Sequence, residues 1–277
     1  MEKLEIRTPA KINLGLNIIG KRTDGYHNIE TIFYPIGLFD KLTFYKSGSF
    51  SFRCKNFLLE ADKNNSVIKA VEILKEETGE KINCLIELEK NIPVGAGMGG
   101  GSSDGAVALL TLNKFFDLRI TIKRLEELAL KIGSDVPFFI NPNPCLASSR
   151  GELMTGLNFT IPFPILIVNP GIHVSTKWAY ENIKPTKPRQ SLLEIFNSQI
   201  NDFSKLKNFV KNDFEEIIFK KFPAIEEIKK SLYECGALFA LMTGSGSTVF
   251  GIFKDLVSAR KAQNIFSKKY FTFIHNE

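Results

Sequence analysis

The chain has 277 residues, of which 44% are hydrophobic and 24% are charged, and its formal net charge at pH 7 is +6. This length predicts one large domain or two smaller ones with a substantial core, and the composition is that of a soluble globular protein. The positive charge suits anionic ligands, nucleic acid or a membrane surface, and does not choose among them.

The cysteines, histidines and apolar segments argue against several classes of protein. The four cysteines are scattered, no CxxC occurs, and the three histidines lie far from them in sequence, so we expect neither a structural zinc site nor a disulfide framework. Residues 154–176 lack charged side chains but contain three prolines, which favours buried strands and loops over a membrane span. The N-terminal segment MEKLEIRTPAK has no apolar signal region. We therefore expect a cytoplasmic protein with no membrane partner.

Hydrophobic periodicity predicts the elements of the first half of the chain. The predicted strands are 4–19 with a polar interruption at Thr8–Lys11, a pair within 42–54 that turns at Ser47-Gly48, and 82–88. The predicted helices are 65–77, a helix directly after the glycine-rich segment, and 121–132, with Gly79 and Gly133 as the helix stops.

The second half shows the same mixture of elements. Strands are predicted around Leu146, at 165–168, as a pair within 237–253 joined by TGSGST, and at 271–274. Helices are predicted at 190–217, 223–235 and 254–269, and the proline-broken basic segment 184–189 predicts an exposed loop. Strands and helices do not alternate regularly, which favours an α+β fold. We place a domain boundary between an N-terminal domain, 1–157, and a C-terminal domain, 158–277.

The segment PVGAGMGGGSS is the most unusual stretch of the chain, because glycine is costly in ordered structure. A flexible linker is one interpretation, but a predicted strand precedes the segment and an apolar helix follows it. A dinucleotide fingerprint and a P-loop are poorer matches, since a second helix follows the first and no lysine follows the glycines. The remaining interpretation is a loop that holds nucleotide phosphates at a helix N-terminus. Its residues are Pro93, Val94, Gly95, Ala96, Gly97, Met98, Gly99, Gly100, Gly101, Ser102 and Ser103.

Three motifs together resemble the GHMP small-molecule kinases. PVGAGMGGGSSDGA resembles the family's second motif, residues 8–33 (TPAKINLGLNIIGKRTDGYHNIETIF) its N-terminal signature, and residues 241–253 (LMTGSGSTVFGIF) its third motif. The combination of PAKINLGL, DGYH and GSDVPFF is similar to one branch of the family, whose acceptor carries a cytidine diphosphate group. The resemblance implies ATP as co-substrate with Mg²⁺. It also implies a two-domain α+β fold: a nucleotide-binding N-terminal domain like that of certain ribosomal proteins, and a ferredoxin-like C-terminal domain.

The resemblance also implies roles for individual residues. Asp135 would be the general base that takes the proton from the attacking hydroxyl, and Lys11 would pair with it and supply positive charge. Asn13, two residues along the predicted strand, would position a group on the same side. The Mg²⁺ ligands stay open. Taken without the family, Asp135 is an ordinary turn aspartate and Lys11 an ordinary edge lysine.

The acceptor site is implied in the same way. Tyr26 would stack on the cytosine ring and His27 would read the base edge. Tyr180 would cover the other face of the base, and Thr176 would donate a hydrogen bond near the substrate. Gly244 and Ser245 would shape the pocket for the diphosphate.

Two positions depart from the family pattern. Met98 stands where leucine is usual, which is a mild change between unbranched apolar side chains. Asp104 stands where asparagine or alanine is common. Its carboxylate either brings like charge towards the phosphates or helps to hold the metal ion.

Other functions remain to be weighed against a kinase. A different small acceptor would leave DGYH without a base to stack, and a silent nucleotide sensor would not need Lys11 and Asp135. An RNA-binding module predicts clustered arginines with interleaved aromatic residues, whereas the arginines here are few and dispersed. We therefore expect a small-molecule substrate, no nucleic-acid partner, and a monomer or weak homodimer.

Overall fold

The computed structural model describes residues 3–55, 59–60, 62–185, 190–199 and 202–276. The chain divides into two compact units, and neither is continuous in sequence. The first comprises Met1–Ala10, Leu38–Val94 and Gly99–Pro142, and the second comprises Lys11–Gly37, Gly95–Met98 and Asn143–Glu277. The domain boundary after residue 157 therefore stays a prediction. Residues 186–189 of the predicted basic loop lie outside the described part.

The regular elements follow one another in a mixed α+β order, as predicted. The strands are β1 (Lys3–Lys21), β2 (His27–Lys46), β3 (Ser51–Cys54), β4 (Cys84–Glu89), β5 (Cys145–Ser149), β6 (Leu153–Gly156), β7 (Ile165–Asn169), β8 (Phe239–Met242), β9 (Val249–Ile252) and β10 (Phe271–His275). The helices are α1 (Ser66–Thr78), α2 (Gly100–Phe115), α3 (Ile122–Ile132), α4 (Thr176–Asn182), α5 (Leu192–Gln199), α6 (Phe203–Leu206), α7 (Glu215–Lys221), α8 (Pro223–Glu234) and α9 (Leu256–Phe266), with a 3₁₀ turn at Pro137–Ile140. Among the residues that the structure describes, no helix is both long and apolar enough to cross a membrane.

The helices α1 and α3 confirm the predictions made from periodicity and from the glycine stops. The Asn65 side chain accepts a hydrogen bond from Val67 N, and α1 ends at Gly79, which adopts the left-handed conformation. The Thr121 side chain caps α3 in the same manner. Both caps satisfy backbone N–H groups that have no partner within the helix.

The strands of the first unit correct one prediction. The pair expected to turn at Ser47-Gly48 exists as the end of β2 and as β3, but the two strands do not pair with each other. Instead β4 pairs antiparallel with residues 41–46 of β2 and parallel with β3. A parallel pair needs a crossover connection, and α1 lies between β3 and β4 in sequence to provide it.

The second unit contains an antiparallel sheet with the strand order β10-β7-β9-β8. With helices between β7 and β8 and between β9 and β10, this is the ferredoxin-like order that the family resemblance implied. Buried apolar side chains of the sheet and of α8 and α9 form its core, among them Leu166, Val249, Ile228 and Ala259. The unit also contains the first part of β2, paired with β5, and the hairpin of β5 and β6.

The region 190–217 is only partly helical, which corrects a second prediction. Residues 207–214 lie outside α5, α6 and α7. The reason is a bridge to β1: Leu16 N donates to Lys211 O at 2.9 Å, and Asp213 N donates to Leu16 O at 2.9 Å. These backbone groups pair with a strand and cannot also form a helix.

Candidate active site

The glycine-rich segment leads directly into α2. Gly95, Gly97 and Gly99 all have positive φ, at 65°, 77° and 70°. Gly99 is the residue before the helix, and no side chain caps the first turn of α2. The first N–H groups of the helix thus have no side-chain acceptor, and the positive end of the helix dipole suits an anion.

Ser103 provides a second observation at the same place. Ser103 is fully buried. Among the described residues, its Oγ is the one buried side-chain polar atom that has no hydrogen-bond partner. Its N–H donates to Gly99 O at 2.8 Å, as a helical residue should. A buried hydroxyl without a partner costs free energy, which a phosphate oxygen or another acceptor would offset.

In the second unit, Lys11 and Asn13 form a buried polar cluster on β1. The Lys11 Nζ donates to Asn13 Oδ1 at 2.6 Å and lies 4.7 Å from the centre of the Phe33 ring. Lys11 is 3% exposed and Asn13 is 1% exposed. The Asn13 Nδ2 donates to Thr31 Oγ1, which donates onward to Gly15 O. Asn13 is thereby fixed as the acceptor that orients the Lys11 ammonium.

Asn13 also joins β1 to the third glycine motif. Its Oδ1 accepts a hydrogen bond from Gly244 N at 3.0 Å, and its backbone N–H donates to Thr243 Oγ1 at 2.9 Å. The structure therefore brings together three predicted site residues, Lys11, Asn13 and Gly244.

The second and third glycine motifs approach each other closely within the second unit. A Cβ on Gly97 would lie 2.2 Å from Thr243 O, and a Cβ on Gly244 would lie 2.9 Å from the Gly97 Cα. Met98 O accepts a hydrogen bond from Lys11 N at 3.0 Å. The residues Gly95–Met98 thus pack on the same elements that hold Lys11.

Asn212 supports the third motif through hydrogen bonds to its backbone, and this residue was not predicted from the sequence. Its Nδ2 donates to Met242 O at 2.7 Å and to Gly244 O at 2.8 Å, while its Oδ1 accepts from Phe214 N. The residue is 2% exposed. The only signal in the sequence was a pair of polar residues, Asn212-Asp213, within an otherwise amphipathic region.

The predicted acceptor residues form two groups in the second unit. The hydroxyl groups of Thr176 and Ser245 lie 2.9 Å apart. The rings of His27 and Tyr180 stack with centroids 5.3 Å apart, and Tyr180 also packs edge-on against Phe214. Burial lowers the pKa of His27, and the positive charge of Lys21 lowers it further, which favours the neutral imidazole.

Tyr26 does not join the His27–Tyr180 stack. It lies in the turn between β1 and β2 and is 53% exposed. The Arg150 guanidinium lies over its ring, 4.8 Å from the centroid. Arg150 is a further contact that the sequence analysis did not identify.

Asp135 lies in the first unit, in the turn that follows α3. Val136 N donates to Gly133 O at 3.1 Å, and the 3₁₀ turn Pro137–Ile140 begins immediately afterwards. The side chain of Asp135 is half-buried. Lys11 belongs to the other unit, and the pairing of these two residues stays a prediction.

Asp104 fits neither of the two roles considered from the sequence. Its Oδ1 accepts from Thr8 Oγ1 at 2.7 Å and its Oδ2 from Lys90 Nζ at 3.0 Å, and the same ammonium pairs with Asp40. Burial raises the pKa of Asp104, an effect that the charge of Lys90 opposes and that of Asp40 reinforces. Both oxygens have partners, so the residue links α2 to β1 and to the end of β4 within the first unit.

Across the described ranges, no group of three or more His, Cys, Asp or Glu side chains is arranged to hold a metal ion. Mg²⁺ commonly binds through one or two protein groups together with substrate phosphates and water, and such a mode does not need a preformed cluster.

Two family models match the chain. The model for the GHMP kinases N terminal domain matches residues 65–142, and the model for the GHMP kinases C terminal domain matches residues 191–272. The first match covers the glycine-rich segment, α2 and Asp135, and the second covers Asn212 and the third glycine motif.

Individual proteins are similar over nearly the whole length. The chain is 40% identical to the 4-diphosphocytidyl-2-C-methyl-D-erythritol kinase of Chlorobium luteolum, over 95% of this chain and 93% of that one. It is 38% identical to the kinase of the same name from Citrifermentans bemidjiense, over 95% and 94%.

Solved structures give the same result. A crystal structure of 4-(cytidine 5'-diphospho)-2C-methyl-D-erythritol kinase matches with a TM-score of 0.82 at 30% identity, covering 98% of each chain. A homoserine kinase from Cytophaga hutchinsonii matches with a TM-score of 0.77 at 17% identity, covering 100% of this chain and 95% of that one, a likeness of fold alone.

Proposed function

The chain belongs to the GHMP kinase family, and we propose that it transfers the γ-phosphoryl group of ATP to the 2-hydroxyl of 4-diphosphocytidyl-2-C-methyl-D-erythritol. It is a small-molecule kinase of the non-mevalonate route to isoprenoid precursors. One observation carries the assignment: relatives that are 40% identical over nearly their full length are named for this substrate. In the proposed division of the chain, the phosphate loop and Asp135 belong to the domain 1–157.

The reaction is a direct displacement at phosphorus. Asp135 accepts the proton of the 2-hydroxyl, and the hydroxyl oxygen forms a bond to the γ-phosphorus. The bond from that phosphorus to the β,γ-bridging oxygen breaks, and ADP leaves with the electron pair. Lys11 supplies positive charge to the reacting oxygens, and its burial with Asn13 supports this role because a fixed charge needs no reorganisation during the reaction.

The co-substrate ATP is held by the loop from Pro93 to Ser103. Support comes from the uncapped start of α2 and from the partnerless hydroxyl of Ser103. Mg²⁺ bound with the nucleotide would neutralise charge on the phosphates, and Ser102 and Ser103 are the hydroxyl groups of this loop that would face it or the phosphates.

The acceptor is recognised through its cytosine base and its diphosphate. Tyr26 offers an exposed ring for stacking, and the buried neutral His27 offers a donor and an acceptor for the base edge. The contact of His27 with Tyr180 supports a shared aromatic site. Thr176, Ser245 and Gly244 form the polar surface for the diphosphate.

The partners follow from this chemistry. The substrate is a small molecule with a cytidine diphosphate group, and neither nucleic acid nor a membrane takes part. The protein acts in the cytoplasm as a monomer or weak homodimer.

The test is ATP consumption by the purified protein with Mg²⁺ and 4-diphosphocytidyl-2-C-methyl-D-erythritol. Methylerythritol phosphate, mevalonate and homoserine are assayed in parallel. We expect turnover with the cytidylated acceptor alone. Turnover with another acceptor would retain the kinase and refute cytosine recognition, and ATP binding without turnover of any acceptor would favour a nucleotide sensor.

A further inference from the structure

The turn that presents Tyr26 is connected to a second turn, residues 150–152 between β5 and β6, and to Ser149, the last residue of β5. In the turn that contains Tyr26, Asp24 accepts a hydrogen bond from Tyr26 N at 3.1 Å. Asp24 also forms an ion pair with Arg22 at 3.0 Å. Arg22 N also donates to Tyr26 O at 2.8 Å. Backbone bonds and one carboxylate therefore fix the main chain of Tyr26.

Arg22 reaches from the first turn to the second. Its Nη1 donates to Ser149 Oγ at 3.0 Å, and Ser149 Oγ donates to Glu152 Oε1 at 3.1 Å. Glu152 also accepts from Arg150 N at 2.7 Å and lies 3.5 Å from Arg150 Nε. The same network thus holds the main chain of both Tyr26 and Arg150.

The side chains meet at the end of this network. The Arg150 guanidinium lies 4.8 Å from the Tyr26 ring centroid, and its side chain is 26% exposed. A cation over one ring face leaves the opposite face available and restricts rotation of the ring. Arginine is the suited residue, because its planar group stacks on an aromatic face while also bonding a carboxylate.

We propose that Arg150 is a positioning residue for cytosine recognition: it holds one face of the Tyr26 ring so that the other face receives the base of the acceptor. The proposal rests on the proposed function, since it assigns a specificity role within the same acceptor site. Arg150 acts through Tyr26 and takes no part in the phosphoryl transfer.

The proposal predicts a selective effect on the acceptor. An ordered ring loses less freedom on binding than a mobile one. Arg150→Ala should raise the KM for the cytidylated acceptor and the Kd for CDP by roughly three- to tenfold, the range of a partly exposed cation–ring contact. The KM for ATP and kcat should stay within about twofold of wild type in the same assays.

The experiment compares wild type, Arg150→Ala, Arg150→Lys and the control Arg53→Ala, which removes an exposed arginine in the other unit. Steady-state kinetics gives both KM values, and calorimetry gives the Kd for CDP. We expect Arg150→Lys to lie between wild type and Arg150→Ala, and Arg53→Ala to match wild type.

Three results overturn the proposal. The first is an acceptor KM in Arg150→Ala that equals that of wild type. The second is an acceptor KM in Arg150→Ala that is lower than that of wild type, which would place Arg150 where the base binds. The third is the same acceptor KM in Arg150→Lys and Arg150→Ala. Failure of the wild type to turn over the cytidylated acceptor refutes the proposed function instead, and the CDP titration then still measures whether Arg150 supports binding of a cytidine nucleotide.

Discussion

Gly97 and Gly244 are packed so closely that neither position has room for a Cβ. Each has positive φ, and the atoms that a Cβ would meet belong to the backbone. A flexible side chain can move aside, whereas a carbonyl oxygen of a paired segment cannot. The two glycine motifs thus require each other's glycines.

The first prediction concerns Gly97→Ala. The new Cβ would lie 2.2 Å from Thr243 O, and the left-handed conformation adds a cost of about 1–2 kcal/mol. We expect the free energy of unfolding to fall by more than about 2 kcal/mol, and kcat/KM to fall by about 10²-fold because Thr243 and Asn13 move with the loop.

Urea denaturation and steady-state kinetics measure both quantities for Gly97→Ala. The control is Gly156→Ala, where a Cβ would meet nothing within 4 Å and φ lies outside the left-handed region. Equal stability and activity of the two variants would contradict the close approach of the motifs.

The second prediction tests Asp135 as the general base. Asparagine keeps the shape of the side chain and cannot accept the hydroxyl proton, so kcat should fall by roughly 10²- to 10⁴-fold. Both KM values should change little, because the group acts mainly in the transition state.

Single-turnover kinetics of Asp135→Asn separates the chemical step from product release. Asp117→Asn, which alters an exposed aspartate paired with Arg119, serves as the control and should retain wild-type turnover. Near-normal kcat in Asp135→Asn would remove this residue from the mechanism.

The third prediction concerns the pH dependence of stability at Asp104. Its pKa is raised in the folded state, first by burial, so keeping the carboxylate ionised costs folding free energy at neutral pH. The cost disappears as pH falls through the raised pKa toward the ordinary value near 3.9. Relative to Asp104→Asn, wild type should therefore gain stability between pH 7 and pH 4.5.

Chemical denaturation of both proteins at several pH values gives this difference. A difference that is constant across the range, or that favours wild type more at higher pH, would refute the raised pKa. The Mg²⁺ concentration for half-maximal activity should be the same in both proteins, because Lys90 and Thr8 occupy the carboxylate.

The fourth prediction concerns Asn212→Ala. The substitution removes the donor to Met242 O and Gly244 O, and leaving buried carbonyl groups without it should cost about 1–3 kcal/mol of unfolding free energy. Gly244 N donates a hydrogen bond to the side chain of Asn13, which orients Lys11. We therefore expect kcat to fall as well, by about tenfold.

Kinetics well below the unfolding transition of Asn212→Ala separates the effect on kcat from the loss of stability. The control Asn182→Ala removes an exposed asparagine that donates to Trp178 O. Loss of stability with unchanged kcat would leave Asn212 a structural residue only.

The sequence predicted the elements with strong local signals. The helices that begin next to Asn65 and Thr121, the stop at Gly79 and the hairpin around TGSGST all follow from residues adjacent in the chain. The order of β2, β4 and β3 did not, because strand pairing depends on the crossover through α1 and not on the four residues between β2 and β3.

The same distinction applies to the site. The motif residues Lys11, Asn13 and Gly244 were identified, and the structure joins them. Asn212 and Arg150 were missed, because their partners lie far away in sequence and such contacts leave no periodic pattern: Asn212 binds Met242 and Gly244, and Arg150 covers Tyr26. The role of Asp104 stayed open from the sequence, because its partner Lys90 precedes the glycines and its second partner, Thr8, lies 96 residues away.

The hydrogen bond between Asn13 and Thr243 spans 230 residues of sequence. When the first two hundred residues have been synthesised, Lys11, Asn13 and the glycine loop are present, but Thr243 and the third glycine motif that contact Asn13 and Gly97 are not. The unit around Lys11 closes only when β8 and β9 emerge, so it depends on long-range pairing that forms slowly. During synthesis, β7 is made before β9 and β10, the two strands that pair with it, and its five residues stay without that partner sheet until the end of the chain is complete.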